Sequence, residues 1–120
     1  MAKILIIEDE FDTAKMLERR VQDWGHEAVV AYDSDGGKYL AKKENPNLIL
    51  LDLMLPPWGG EAVLAAIRTD EDIKNTPIII LTGVDDDECK ITIERMGVTD
   101  YFLKPYDPEA LHNAIELALK

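Results

Sequence analysis

The sequence predicts an α/β fold in which five strands and five helices alternate to build a doubly wound, five-stranded parallel sheet. Two observations carry that prediction. Short apolar runs alternate five times with longer stretches whose apolar residues recur at helical spacing. The purest runs, 48–51 and 78–81, lack polar alternation, as strands buried on both faces of a parallel sheet do. With 120 residues, 47% of them apolar, the chain can close one core and is too short for two ordinary domains.

The elements follow in order. Residues 3–7 form the first strand and end in Glu8-Asp9-Glu10. Residues 12–24 place Ala14, Leu17, Val21 and Trp24 along one helical face, and Gly25 suits the left-handed backbone that follows a helix end. Residues 27–31 read as a weaker second strand, and 34–43 as a helix that Pro46 closes. The third strand, 48–51, runs straight into Asp52. Residues 60–69 form the third helix, and 78–81, behind Pro77, the fourth strand. A helix over 86–96 carries Cys89, Ile93 and Met96 on one face and stops at Gly97. Residues 101–103 are the fifth strand, and Pro108 opens a last helix that is expected to run to Lys120. Glu10 or Asp12 can cap the first helix, and Asp85-Asp86-Asp87 the fourth.

Composition narrows the function. Thirteen basic residues against 24 acidic ones give a net charge of −11, which opposes direct binding of nucleic acid. Arg19-Arg20 and Lys42-Lys43, the only adjacent basic pairs, have acidic neighbours and read as solvated faces. No apolar run approaches the roughly 20 residues that cross a bilayer. A lone cysteine, Cys89, allows no internal disulfide and fits a reducing cytoplasm. His26 and His112 are expected to be isolated surface or boundary residues. Asp33-Ser34-Asp35-Gly36 looks like the start of a calcium loop, but Lys38 stands where such a loop needs glycine.

In an open parallel sheet, ligands bind beyond the carboxyl ends of the strands. Those ends carry Glu8-Asp9, Asp52, Thr82 and Lys104-Pro105, on strands about 4.8 Å apart from neighbour to neighbour. Three acids, one hydroxyl and one ammonium therefore share a small volume. Clustered carboxylates resist ionisation unless a cation offsets them, and a hard divalent ion with oxygen ligands does so. Helix capping does not account for Asp52, which ends the most apolar strand and precedes Leu53-Met54-Leu55-Pro56.

These residues resemble the receiver domains of bacterial two-component response regulators. The resemblance spans the chain and rests on Glu8-Asp9, Asp52 through Pro56 with Gly60, Leu81-Thr82-Gly83, and Asp100 through Tyr106. It implies a flavodoxin-like receiver fold with strand order 2-1-3-4-5, and one receiver domain over residues 1–120 with no output domain inside it. It implies that Asp52 accepts a phosphoryl group from the phosphohistidine of a sensor histidine kinase or histidine phosphotransfer protein. Mg²⁺ or Mn²⁺ would be held by Asp9, Asp52 and the Met54 backbone carbonyl, with Glu8 acting mostly through water. Thr82 and Lys104 would each hold a phosphoryl oxygen, and Pro105 would follow a cis peptide. Thr82 and Tyr101 would form the switch that changes the surface of the fourth helix, fifth strand and fifth helix. Such a domain is a signalling phospho-acceptor that catalyses only its own phosphorylation and dephosphorylation. It acts on an output protein or a separate output domain, with a phosphorylation-dependent homodimer as a further option.

Some positions depart from the commoner pattern. Pro57 and Trp58 stiffen and cover the loop after Asp52, placing Trp58 near the site. Met54 and Val84 occupy positions that tune acyl-phosphate hydrolysis in the family, and neither can orient a water, which predicts a long-lived phospho-form. Gly83 leaves room for the phosphoryl group. Met16 and Ile91 lie off the buried stripes and are expected to be exposed, as docking contacts or as ordinary surface residues. A phosphatase of the haloacid-dehalogenase type would need a second aspartate where Met54 stands. A flavin module would need a Ser-, Thr- and Gly-rich loop where Glu8-Asp9-Glu10 stands. A degenerate receiver, used only for binding, would not be expected to keep Asp9, Asp52, Thr82 and Lys104 together.

Overall fold

The computed structural model describes residues 1–120. Its elements are β1 (Lys3–Ile7), α1 (Phe11–Asp23), β2 (Glu27–Ala31), α2 (Ser34–Glu44), β3 (Leu48–Leu51), α3 (Gly60–Arg68), β4 (Ile78–Thr82), α4 (Asp87–Arg95), β5 (Asp100–Leu103) and α5 (Pro108–Ala118). All strand pairs are parallel, in the order β2-β1-β3-β4-β5.

Alternating strand residues face opposite sides of the sheet and make two cores. Leu5, Ile7, Ile49, Leu51, Ile78 and Ile80 pack beneath α2, α3 and α4, around Ala41, Leu64, Ile67 and Ile93. Ile4, Ile6, Leu48, Leu50, Ile79 and Leu81 pack beneath α1 and α5, around Leu17, Val21, Leu111 and Ile115. The unbroken apolar runs of β3 and β4 are thus explained: every residue of these two strands is buried on one side or the other.

The ends of elements show local chemistry. Gly25 adopts φ +93°, the left-handed backbone expected after α1. Asn45, the non-glycine residue best suited to that region, ends α2 at φ 46° before Pro46, so the helix runs one residue further than predicted. Asp86 caps α4 by accepting from the N–H groups of Glu88 and Cys89. Glu10 stands at the capping position of α1, but its carboxylate caps nothing and instead accepts the Thr13 hydroxyl at 2.9 Å. Cys89 is half-buried against the first core.

The two histidines are not isolated, contrary to the sequence expectation. His26 Nδ1 accepts from Ala2 N–H at 3.1 Å, which leaves the proton of the neutral ring on Nε2, 2.7 Å from Glu116 Oε2. His112 stacks on Trp24 with ring centroids 4.4 Å apart, and its Nε2 lies 3.7 Å from the same Glu116 oxygen. The His26–Glu116 and Trp24–His112 contacts join residues about ninety positions apart, which no local pattern signals.

Candidate functional site

Glu8, Asp52 and Lys104 leave the ends of β1, β3 and β5, with β4 between the last two, and a last ladder bond locks each departing backbone. Glu8 N donates to Ala31 O at 3.0 Å, Asp52 N to Ile7 O at 3.1 Å, and Lys104 N to Thr82 O at 2.9 Å. Gly60 brings α3 against the same edge. A Cβ there would lie 2.3 Å from the Asp52 carbonyl oxygen and 2.7 Å from Leu53 Cα, so only glycine fits.

Side chains then converge. Lys104 Nζ donates to Asp52 Oδ2 at 2.8 Å and to Glu8 Oε1. Asp52 Oδ1 accepts Met54 N–H at 3.0 Å, and Glu8 Oε2 accepts Glu10 N–H at 3.1 Å. Glu8 and Asp52 are buried, whereas Asp9 is exposed at the mouth. Each of these three acids offers an oxygen within 4.8 Å of the others. Burial raises the Glu8 carboxyl above its ordinary value, and the Lys104 bond offsets this only in part. Desolvation alone would lower the Lys104 ammonium, but its bonds to Asp52 and Glu8 outweigh that and raise it. Above these groups opens a groove of about 1070 Å³, with Asp9, Phe11, Met54, Pro56 and Gly83 on its walls.

The donor set fits a hard divalent cation. It is all oxygen, and three carboxylates against one ammonium leave two negative charges uncompensated. The direct ion pair of Glu8 with Lys104 was not anticipated, and it occupies the carboxylate assigned the indirect metal role.

Thr82 and Tyr101 are connected through one residue between them. The buried Thr82 hydroxyl accepts Val84 N–H at 3.3 Å, and Tyr101 Oη donates to Val84 O at 3.1 Å. Lys90 Nζ lies 5.4 Å from the centre of the half-buried Tyr101 ring. The main chain of Val84 was legible only as an apolar side chain; its bridging role was not. The Lys104–Pro105 peptide is cis, and so is Pro56–Pro57. A Cβ at Gly83 would meet no atom within 4 Å, so space exists there as expected. Trp58 is exposed on the loop after Asp52, while its neighbours Pro56 and Gly59 line the groove. Met16 and Ile91 are exposed. Ser34, for which the sequence predicted no site role, is the fourth buried polar residue beside Glu8, Asp52 and Thr82.

The sequence profile of the response regulator receiver domain matches residues 4–116. The chain belongs to this family. The receiver is similar to a probable transcriptional regulator, ycf27, of Porphyridium aerugineum, with 36% identity over 118 residues; the match covers 98% of this chain and 48% of the relative. It is 31% identical to protein PilH of Pseudomonas aeruginosa, a match covering 99% of this chain and 98% of that one. Among solved structures it superposes on the BeF3-activated N-terminal receiver domain of Klebsiella pneumoniae RstA with a TM-score of 0.91, at 30% identity and 98% coverage of each chain. The receiver spans about half the length of the ycf27 relatives. It is a signalling domain of the two-component type, with the five-stranded fold the sequence predicted. None of its helices is long and apolar enough to cross a membrane.

Proposed function

We propose that the receiver accepts a phosphoryl group on Asp52 from the phosphohistidine of a sensor histidine kinase or histidine phosphotransfer protein. The observation that carries this reading is the setting of the Asp52 carboxylate, which is buried, paired with Lys104 and aligned by Met54 N–H at the floor of an open groove. A carboxylate oxygen attacks phosphorus as the P–N bond breaks, and the electron pair leaves with the imidazole. Little covalent help is needed beyond alignment and charge neutralisation. Lys104 moves from Asp52 to a phosphoryl oxygen, and Thr82 turns its hydroxyl proton toward another. Asp9, Asp52 and the Met54 carbonyl would hold Mg²⁺ or Mn²⁺, with Glu8 acting mostly through water, and a cation there would supply charge neutralisation for the phosphoryl oxygens.

Movement of Thr82 is transmitted through Val84 to Tyr101, and from there to the surface of α4, β5 and α5. That surface meets an output protein or output domain, or a second copy in a phosphorylation-dependent homodimer. The transcriptional relatives suggest gene regulation as an output, with DNA contact made outside this acidic unit. Residues 1–120 act as a single receiver domain in the cytoplasm, turning over nothing but their own acyl phosphate.

Incubation with acetyl phosphate and Mg²⁺, read by intact mass, tests the reading. Wild type gains one phosphoryl group and Asp52→Asn gains none. Absence of the adduct on wild type, or equal adducts on both, refutes it.

A further inference from the structure

We propose that Ser34 is a positioning residue for phosphoryl transfer, acting through the loop that follows Asp52. The inference rests on Asp52 as the phospho-acceptor. Ser34 is fully buried at the start of α2, yet it does not cap that helix; Asp33 does so by accepting Gly36 N–H at 2.6 Å. The Ser34 hydroxyl instead donates to Pro56 O at 3.2 Å and accepts Trp58 N–H at 3.1 Å, while Ser34 N–H donates to Pro56 O at 2.8 Å. These three bonds clasp the loop on either side of Pro57, which has no N–H to contribute.

The remaining hydrogen bonds of this loop close on the loop itself, on Asp52 or on the adjoining first residue of α3. Gly59 N donates to Leu55 O at 2.7 Å, Gly60 N to Leu53 O at 2.8 Å, and Met54 N to Asp52 Oδ1 at 3.0 Å. Ser34 therefore supplies every hydrogen bond that ties the loop to a segment distant in the sequence. Leu53 and Leu55 bury their side chains, but apolar packing is not directional, whereas the clasp fixes the Pro56 carbonyl and the Trp58 amide. Met54 and Pro56 form one wall of the groove, so the hydroxyl sets that wall against Asp52 from the far side of the loop. Removing it leaves Trp58 N–H without its partner and Pro56 O with one bond in place of two.

The test compares wild type, Ser34→Ala and Ser34→Thr. Mg²⁺ affinity is measured by titration calorimetry with Mg²⁺ alone, adduct formation from acetyl phosphate by intact mass, and thermal stability by melting in EDTA. Ser34→Ala is expected to weaken Mg²⁺ binding about tenfold, the lower end of what loss of an outer supporting contact costs, and to slow phosphoryl uptake. Ser34→Thr, which keeps the hydroxyl, stays near wild type in both. Unchanged Mg²⁺ affinity and uptake in Ser34→Ala overturn the proposal even when its melting temperature falls, because the hydroxyl is then only structural. Equal weakening by Thr and Ala overturns it as well. Should Ser34→Ala fail to fold, Ser34→Cys, of similar volume and weaker hydrogen bonding, takes its place under the same criteria. A wild type that binds Mg²⁺ but gains no adduct refutes the phospho-acceptor reading, and the calorimetric comparison still decides whether Ser34 positions the loop.

Discussion

Replacing Gly60 by alanine sets two opposing effects against each other. Gly60 is the first residue of α3, and alanine in a helix interior is favoured over glycine by about 1 kcal/mol, less at a terminus. Against that stands the approach of backbone to backbone: the new Cβ would lie 2.3 Å from Asp52 O, where ordinary contact begins at 3.4 Å. Relief needs a shift of about 1.1 Å, and the obstructing atoms are main chain, so no side chain can swing aside. Overpacking of this kind costs about 1–3 kcal/mol. The clash wins, for a net loss of about 1–2 kcal/mol and a melting temperature lower by about 4–8 °C. The shift falls on the residue that carries the acceptor carboxylate, and a misplacement of about 1 Å can cost about a hundredfold in rate. Thermal melts and the rate of adduct formation from acetyl phosphate read the two effects separately. A melting temperature equal to or above wild type, with an unchanged rate, would refute the reasoning.

Three further outcomes are expected. Burial raises the Glu8 carboxyl above 4.5, so the folded chain binds that proton more tightly than the unfolded one. Its contribution to stability is therefore complete below pH 4.5 and is lost as pH rises through the folded value. In EDTA, the urea stability of Glu8→Gln should gain on wild type between pH 4.5 and neutrality, and a constant or reversed difference contradicts the shift. Lys104→Met leaves Glu8 and Asp52 facing each other without a cation, at a cost of about 2–4 kcal/mol at neutral pH. Added Mg²⁺ should raise its melting temperature more than that of wild type, and an equal response speaks against a shared role in neutralisation. Met54 is exposed and Val84 packs against the first core, so neither presents a polar group to water near the acyl phosphate. The isolated phospho-form should therefore outlast seconds in Mg²⁺ buffer, as followed by the decay of its intact mass.

Most of the fold was legible because its signals are local. Unbroken apolar runs marked β3 and β4, and Gly25 and Pro108 marked helix ends. The shared edge of Glu8, Asp9, Asp52, Thr82 and Lys104 followed from strand ends and a general property of parallel sheets. Pairing within that edge was less accessible. Whether Lys104 meets Asp52 alone or bridges to Glu8 depends on side-chain reach across the edge of four adjacent strands. Ser34 and the two histidines were missed for a related reason. Their partners lie on distant segments, and a serine beside a helix start or a histidine beside a turn carries no mark of the contact it will make.

Two of those missed contacts bear on how a change near the groove can travel. α5 is tied down at two levels: Glu116, near its end, meets His26, and His112, in its second turn, stacks on Trp24. Its near end begins at Pro108, four residues beyond Lys104 and on the side where the switch lies. The helix thus resembles a post braced along its length, with Leu111 and Ile115 seated in the second core and His112 and Glu116 held by Trp24 and His26. Displacement starting at β5 would therefore be taken up in the first turn, ahead of His112, rather than by a shift of the whole helix.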